Sequence, residues 1–354
     1  MKQSVQKQTQ ASKLIGSFVA GTDRALIWLG VLKYDQSEAF GISADGKVVV
    51  GVAEQSSYPY GRFAFRWTES RGMEDIGTLG RPASSVARNT SADGAVVVGT
   101  SATAFLESEA RAFRWTQSLG MQNVGALPKY RHSEAWDVSA DGKVVVGRCY
   151  DADFRNQGSS RAFRWTARES MQDLGTLGGS RSGALGVSAN GSVVVGWAYT
   201  AAEERRAFLW VAPGGMRDLG TLGGRESQAQ DVSADGSVVV GWAYNASGRQ
   251  RAFRWTQATG MQEIGAFHNG TSIAHGVSAD GSVVVGSSNN KAFRWTASRG
   301  IEDLNTTYAG LLSEGSWLER ANSVSRDGRY IVGRGYNAAS RRYEAFLLDT
   351  GKAH

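Results

Sequence analysis

The stretch Ser227-Gln-Ala-Gln-Asp-Val-Ser-Ala-Asp-Gly-Ser-Val-Val-Val-Gly241 decides how this chain is read. Its centre, Ser233-Ala234-Asp235-Gly236, is turn chemistry. Asp and Ser side chains bond nearby backbone, and Gly takes the left-handed conformation that a tight hairpin requires. Before the turn lies a Ser-x-Ala-x-x-Val segment of small residues, and after it a β-branched run that suits a buried strand. The tetrapeptide or a near copy begins at Ser43, Ser91, Ser139, Ser188, Ser233, Ser278 and Ser325. These seven copies are spaced 48, 48, 49, 45, 45 and 47 residues apart, a period of sheet-based arrays rather than helical solenoids.

Two further elements complete each repeat. Ala-Phe-Arg-Trp or a variant starts at Ala64, Ala112, Ala162, Ala207, Ala252, Ala292 and, degenerate, Ala345. Met-x-Asp-Leu-Gly or a variant starts at Met73, Met121, Met171, Met216, Met261 and Ile301. Four short extended segments per repeat predict an all-β, seven-bladed β-propeller with four antiparallel strands per blade. Ser-x-Ala-x-x-Val is expected innermost, at residues 37–42, 85–90, 133–138, 182–187, 227–232, 272–277 and 319–324. The valine run is second, Ala-Phe-Arg-Trp third and Met-x-Asp-Leu-Gly outermost.

Leu26 to Gly30 aligns with the outermost strand at Met216, whereas Ala345 to Leu348 is a third strand without an outer neighbour. The N-terminal outer strand is therefore expected to pair with the C-terminal third strand and close the ring, with Trp28 near Leu347. Arg66 with Asp75, Arg164 with Asp173 and Arg294 with Asp303 read as cross-strand charge pairs, and Leu209 with Asp218 breaks that pattern. The domain expectation is an N-terminal extension over residues 1–24, one propeller over 25–350 and a tail over 351–354.

Bulk composition agrees. The 354 residues are 41% hydrophobic and 20% charged, with no apolar run long enough to cross a bilayer. Forty-five Gly against 4 Pro suits many tight turns. Cys149 is the sole cysteine, which excludes an internal disulfide and leaves an ordinary thiol. The net charge of +6 resides partly in arginines at fixed repeat positions, which disfavours nucleic-acid binding. Residues 1–13 are polar, and Gly16 and Ser17 interrupt Leu14 to Ala20, a poor signal-peptide core.

Few residues suggest chemistry. A Gly-x-Ser-x-Gly elbow and a phosphate loop are both absent. The four histidines, His132, His268, His275 and His354, show no metal-ligand spacing. Glu38 and Glu134 are the nearest candidates for the carboxylate pair of a glycosidase, against a reading as solvated strand-end charges. Variation inside the constant frame says more. One inner-strand position reads Phe40, Arg88, Trp136, Leu185, Gln230, His275 and Asn322.

The loops before those strands bring Lys33 with Tyr34, Arg81, Lys129, Arg181, Arg225 and His268 towards one rim, while the seventh loop carries Tyr308 and Trp317. A positive rim with aromatic faces suits an anionic glycan, peptide or protein. The candidate ligand-binding set is Lys33, Tyr34, Arg81, Arg88, Lys129, His132, Trp136, Arg181, Arg225, His268 and His275. No catalytic residue, metal ligand or cofactor is assigned, and a monomer is expected. The functional expectation is a non-enzymatic binding or scaffold propeller. Its alternative is a carbohydrate-active hydrolase or lyase working in the central channel.

Ala-Phe-Arg-Trp, Gly-Met-x-Asp-Leu-Gly-Thr-Leu-Gly-Gly and Val-Ser-Ala-Asp-Gly-Ser-Val-Val-Val-Gly together resemble the HAF repeat family, bacterial proteins described as extracellular. The likeness covers roughly residues 25–350, and residues 171–179 and 216–224 keep the long outer-strand motif almost whole. The family's naming triplet begins with His, where this chain has Arg111, Arg161, Arg206, Arg251 or Lys291. The resemblance implies a propeller and a cell-surface setting, in some members as the outer part of a secreted or autotransported protein. It supplies no catalytic residue.

Overall fold

A computed structural model describes residues 24–56, 61–80, 84–102, 109–151 and 158–351, together with the backbone of 16–18. Each Ser-Ala-Asp-Gly copy is a hairpin turn. Ser233 Oγ donates to Asp235 Oδ1 at 2.7 Å and accepts from the Val238 N–H, while Gly236 sits at φ +81°. In the first unit the turn joins Gln36–Ile42 to Val48–Gln55, followed by Gly61–Thr68 and Gly72–Asp75 in antiparallel order. The other innermost strands are Ser85–Thr90, His132–Val138, Gly178–Val187, Gly223–Val232, Ser272–Val277 and Trp317–Val324. Six hydrogen-bonded sheets hold seven such units, because a single parallel bridge between Ser160 and Arg181 joins the third and fourth.

The valine runs lack alternation because neighbouring units bury both of their faces. Val49 packs with Val332 and Leu347 of the seventh unit, whereas Val48 and Val50 pack with Ala87 and Val97 of the second. Serines staple the units together. Ser227 Oγ accepts from the Ala207 N–H at 2.9 Å and donates to the Gly220 carbonyl at 2.6 Å, both in the preceding unit. Ser37, Ser85, Ser133, Ser182 and Ser272 repeat this double bond.

Closure follows the expectation in direction and differs in detail. Arg24–Gly30 pairs antiparallel with Arg342–Thr350, whose other neighbour is Tyr330–Asn337. Gly16–Phe18 adds a further strand outside, so this sheet has five strands rather than four. Trp28 stands opposite Phe346, with ring centroids 6.4 Å apart, and it is Ile27 that faces Leu347.

The same one-residue slip corrects the expected charge pairs. Thr68 closes its turn opposite Gly72, which places Glu74 opposite Arg66 and Asp75 opposite Phe65. Asp173 and Asp303 likewise face Phe163 and Phe293. The strand arginines reach across units instead: Arg114 and Arg164 Nε donate to the Gly142 and Gly191 carbonyls in the next turn, each at 3.2 Å. The outer-strand acids meet the residue preceding Ala-Phe, as in Arg161 with Asp173 at 3.8 Å, Arg206 with Asp218 at 3.7 Å and Lys291 with Asp303 at 3.0 Å.

Candidate functional site

Every innermost strand carries a β-bulge at the same place. Ala39 pairs with Gly51 and Gly41 with Val50, which leaves Phe40 unpaired. The register skips Arg88, Trp136, Leu185, Gln230, His275 and Asn322 in the same way. A bulge re-aims the side chain of its extra residue. All seven re-aimed residues line one central cavity of about 260 Å³.

The glycine ending each valine run permits this geometry. A Cβ at Gly241 would lie 2.0 Å from the Gln228 carbonyl oxygen, and one at Gly51 would lie 2.0 Å from that of Glu38. The recurring Val-Val-Val-Gly was thus the sequence signal for the bulge, since glycine inside a strand marks close backbone approach.

Arg88 dominates the cavity. Its guanidinium carbon lies 4.2 Å from the Trp136 ring centre and 4.9 Å from that of Phe40. It forms no hydrogen bond or ion pair with any described residue. Burial lowers its pKa, opposed by the charges of Glu134 and Glu38. Glu38, also lining the cavity, already has partners: Asn322 Nδ2 donates to it at 2.8 Å, and Arg320 and Arg334 approach it at 3.6 and 3.9 Å. Glu134 is held by Arg148 at 2.9 Å and by the Tyr150 hydroxyl at 3.3 Å. His275 Nε2 contacts Ser287 Oγ at 3.0 Å, and burial together with the charge of Arg320 pushes its pKa down to about 4.

The next layer narrows the channel. Asn89, Asp137, Asp231 and Ser323 line both the upper cavity and a lower one of about 110 Å³. Gly41, Gly186 and Gly276 alternate with them, where a Cβ would crowd the adjacent strand. Asp137 Oδ1 accepts from Val138 N–H at 2.7 Å and Oδ2 from Val187 N–H at 2.7 Å. Asp231 accepts from Val232 N–H at 2.7 Å and from Val277 N–H at 2.9 Å. Burial, reinforced by Asp231, raises Asp137 to about 8, and burial raises Asp231 to about 6. Below, the turns join edge to edge, as where Ala92 N–H donates to the Ala140 carbonyl at 3.0 Å.

The expected site residues fall into two groups. Arg88, Trp136 and His275 meet in the channel cavity. Lys33, Lys129 and His268 are exposed between strands, while Arg225, expected on a loop, is exposed on the early-starting inner strand Gly223–Val232. Three others pack against rings: Tyr34 is buried in a stack on Phe63 at 4.2 Å, His132 is buried over Tyr150 at 5.0 Å, and Arg181 lies over Tyr199 at 4.2 Å. Burial lowers the His132 pKa, and its Nδ1 accepts from the Ala110 N–H. Arg81 lies outside the described residues.

Sequence reasoning missed Arg205, whose guanidinium carbon sits 4.8 Å from the Trp197 ring and 5.5 Å from the Trp242 ring while bonding Gln228. The repeated Gly-Trp-Ala-Tyr of the fourth and fifth units was the available signal. Among the described residues no three His, Cys, Asp or Glu side chains group as metal ligands would, and no helix is long and apolar enough to cross a membrane.

No family model matches the chain, and no curated protein matches it in sequence. Solved structures match its shape. Oligogalacturonate lyase in complex with manganese is 12% identical over 95% of this chain and 96% of its own, with a TM-score of 0.60. The β-propeller domain of the Trilobed protease from Pyrococcus furiosus is 10% identical over 90% and 96%, with a TM-score of 0.57. TolB from Acinetobacter baumannii is 11% identical over 87% of this chain at a TM-score of 0.50, and this chain spans 64% of its length. At such identities the likeness is one of fold alone. The chain has a β-propeller fold resembling the propellers of TolB and of peptidase propeller domains.

Proposed function

We propose that this chain is a seven-bladed binding propeller of the HAF-repeat kind that takes an anionic group of a glycan or peptide into its central channel. One observation carries this reading: Arg88 lines the cavity between two aromatic rings with no hydrogen bond or ion pair to any described residue. A guanidinium offers five donors in a planar fork that fits carboxylate, sulfate or phosphate. Holding it desolvated and unpaired is costly, and an incoming anion would offset that cost. Glu38 does not compete, since Arg320, Arg334 and Asn322 already hold it. The exposed groups of Lys33, Lys129, Arg225 and His268 would attract the ligand from a distance, an effect that salt screens.

The test is calorimetric binding of uronate-bearing oligosaccharides, sulfated oligosaccharides and acidic peptides at two salt concentrations. At least one class is expected to bind, more weakly at high salt, and Arg88→Ala is expected to abolish that binding while Lys129→Ala only slows association. Salt-independent binding, or unchanged binding by Arg88→Ala, overturns the reading.

A second reading, a hydrolase or lyase in the same cavity, is favoured by His275, which lines it with Nε2 at 3.0 Å from the Ser287 hydroxyl, an imidazole–hydroxyl pair of the kind that nucleophilic catalysis uses. Product formation from an acidic oligosaccharide, lost in His275→Ala with binding retained, would support it over simple binding.

A further inference from the structure

In three units a rim residue covers the tyrosine of the second strand, and the three covers differ. His132 lies over Tyr150 and is itself buried, and Arg181 lies over Tyr199. In the seventh unit Trp317 stacks on Tyr336, with ring centres 4.5 Å apart at 23°. Tyr343 meets both rings edge-on, at 6.1 and 5.5 Å, and Arg334 lies over Tyr343 at 4.4 Å. Trp317 nonetheless remains 38% exposed, and it is the one aromatic among the exposed large hydrophobic residues described. Its inner face is thus fixed by stacking, while part of the ring is left open.

That ring borders a groove of about 570 Å³, a volume within the range of roughly 300–1,000 Å³ usual for small-molecule sites. Asn290 and Glu314, both exposed and free of hydrogen bonds to described residues, stand in the same lining. The cation in it, Lys291, is taken by Asp303 at 3.0 Å. The groove therefore offers a flat apolar ring, an amide and a carboxylate, without an unpaired positive charge.

We propose that this groove is a binding site for a neutral sugar, a pyranose stacked on Trp317 with its hydroxyls bonded to Asn290 and Glu314. The C–H groups on one face of a pyranose carry partial positive charge and meet the negative face of the indole. Sugar hydroxyls can donate to the carboxylate and exchange both kinds of bond with the amide. A carboxylate beside the ring would repel an anionic ligand, so this site is distinct in chemistry from the channel around Arg88 and does not depend on that reading.

Saturation-transfer NMR and calorimetry with neutral gluco-, manno-, xylo- and N-acetylglucosamine oligosaccharides test it. At least one series is expected to bind with little salt dependence. Trp317→Ala is expected to weaken binding by about tenfold, the scale of a single aromatic anchor, whereas Trp317→Tyr retains most of it and Arg88→Ala leaves it unchanged. If Trp317→Ala does not fold, Asn290→Ala and Glu314→Ala, both at exposed loop positions, are expected to weaken binding severalfold. Failure of every series to bind, full binding by Trp317→Ala or by the loop pair, or loss in Arg88→Ala overturns the proposal. Capture of a protein through Trp317 with no sugar bound does the same.

Discussion

Asn89 Nδ2 donates to Asp137 Oδ1 at 2.5 Å across the boundary between the second and third units. Because Asp137 Oδ2 accepts from the Val187 N–H of the fourth unit, one carboxylate ties three units around the channel. Asp137→Ala removes the partner of two backbone donors and one amide. With about 1–3 kcal/mol lost for each of these buried groups left unsatisfied, a total loss of about 3 kcal/mol or more is expected. Urea unfolding of the variant against the parent measures it, and a change below about 1 kcal/mol would show that water replaces the carboxylate.

The same layer predicts a pH dependence. Asp137 and Asp231 titrate near 8 and 6 when folded, above the ordinary carboxylate value near 4. Between those limits the folded chain holds more protons than the unfolded one, so stability is greatest below about pH 4 for these groups and falls as pH rises. The Asp231 share is lost by about pH 6 and the Asp137 share by about pH 8. Together they are expected to be worth on the order of a few kcal/mol. Urea midpoints from pH 5 to pH 9 follow the decline, and Asp137→Asn is expected to remove its upper part.

The inter-unit staples separate two kinds of repeated residue. Ser227→Ala strands the Ala207 N–H and the Gly220 carbonyl, and is expected to cost about 2 kcal/mol. Arg254→Leu is expected to cost less than about 1 kcal/mol, because Arg254 Nε only grazes the Gly281 carbonyl at 3.4 Å and Leu209 fills the equivalent place in the fourth unit. Thermal melts of the two single variants compare them directly.

Arg88 should trade stability for binding. Its desolvated guanidinium has no hydrogen-bond or ion-pair partner among the described residues, so Arg88→Leu is expected to match or exceed the parent in stability, by up to about 1 kcal/mol, while losing anion binding. A melting temperature well below that of the parent would mean that the stack of Phe40, Arg88 and Trp136 is needed for folding.

Closure is tested by removing residues 1–31. The deletion strips the Arg24–Gly30 strand and exposes the Arg342–Thr350 edge, with Phe346 and Leu348 behind it. Concentration-dependent association and a lowered melting temperature are expected, since an open apolar edge recruits other strands. Light scattering across a dilution series checks this.

The inner strands end at the expected residues, while five of the seven begin one to four residues earlier than expected. The observed Ser85–Thr90 and Ser272–Val277 coincide with the expected inner strands, and the direction of closure was readable from the outer strand missing after Leu348. That Arg66 faces Glu74 and not Asp75 was not legible, because side-chain partners depend on register and the Thr68 to Gly72 turn shifts it by one. The position holding Phe40, Arg88 and Trp136 stood out as variable, but nothing in its own residues announced the bulge that turns it into the channel. Tyr34 and His132 looked like free rim groups, and both are buried by rings distant in sequence, Phe63 and Tyr150.

The sequence by itself determined the units, their strand order and their turns, since each of these depends on contacts within a few residues and recurs at a fixed period. Only the tertiary structure decided which charges pair, which aromatic rings stay open and where an unpaired arginine comes to rest. Those outcomes follow from the packing of each unit against the next, over distances the local pattern does not encode. The bulge at Arg88 joins the two levels: the glycine that permits it was visible in every valine run, and the cavity it faces exists only once the ring has closed.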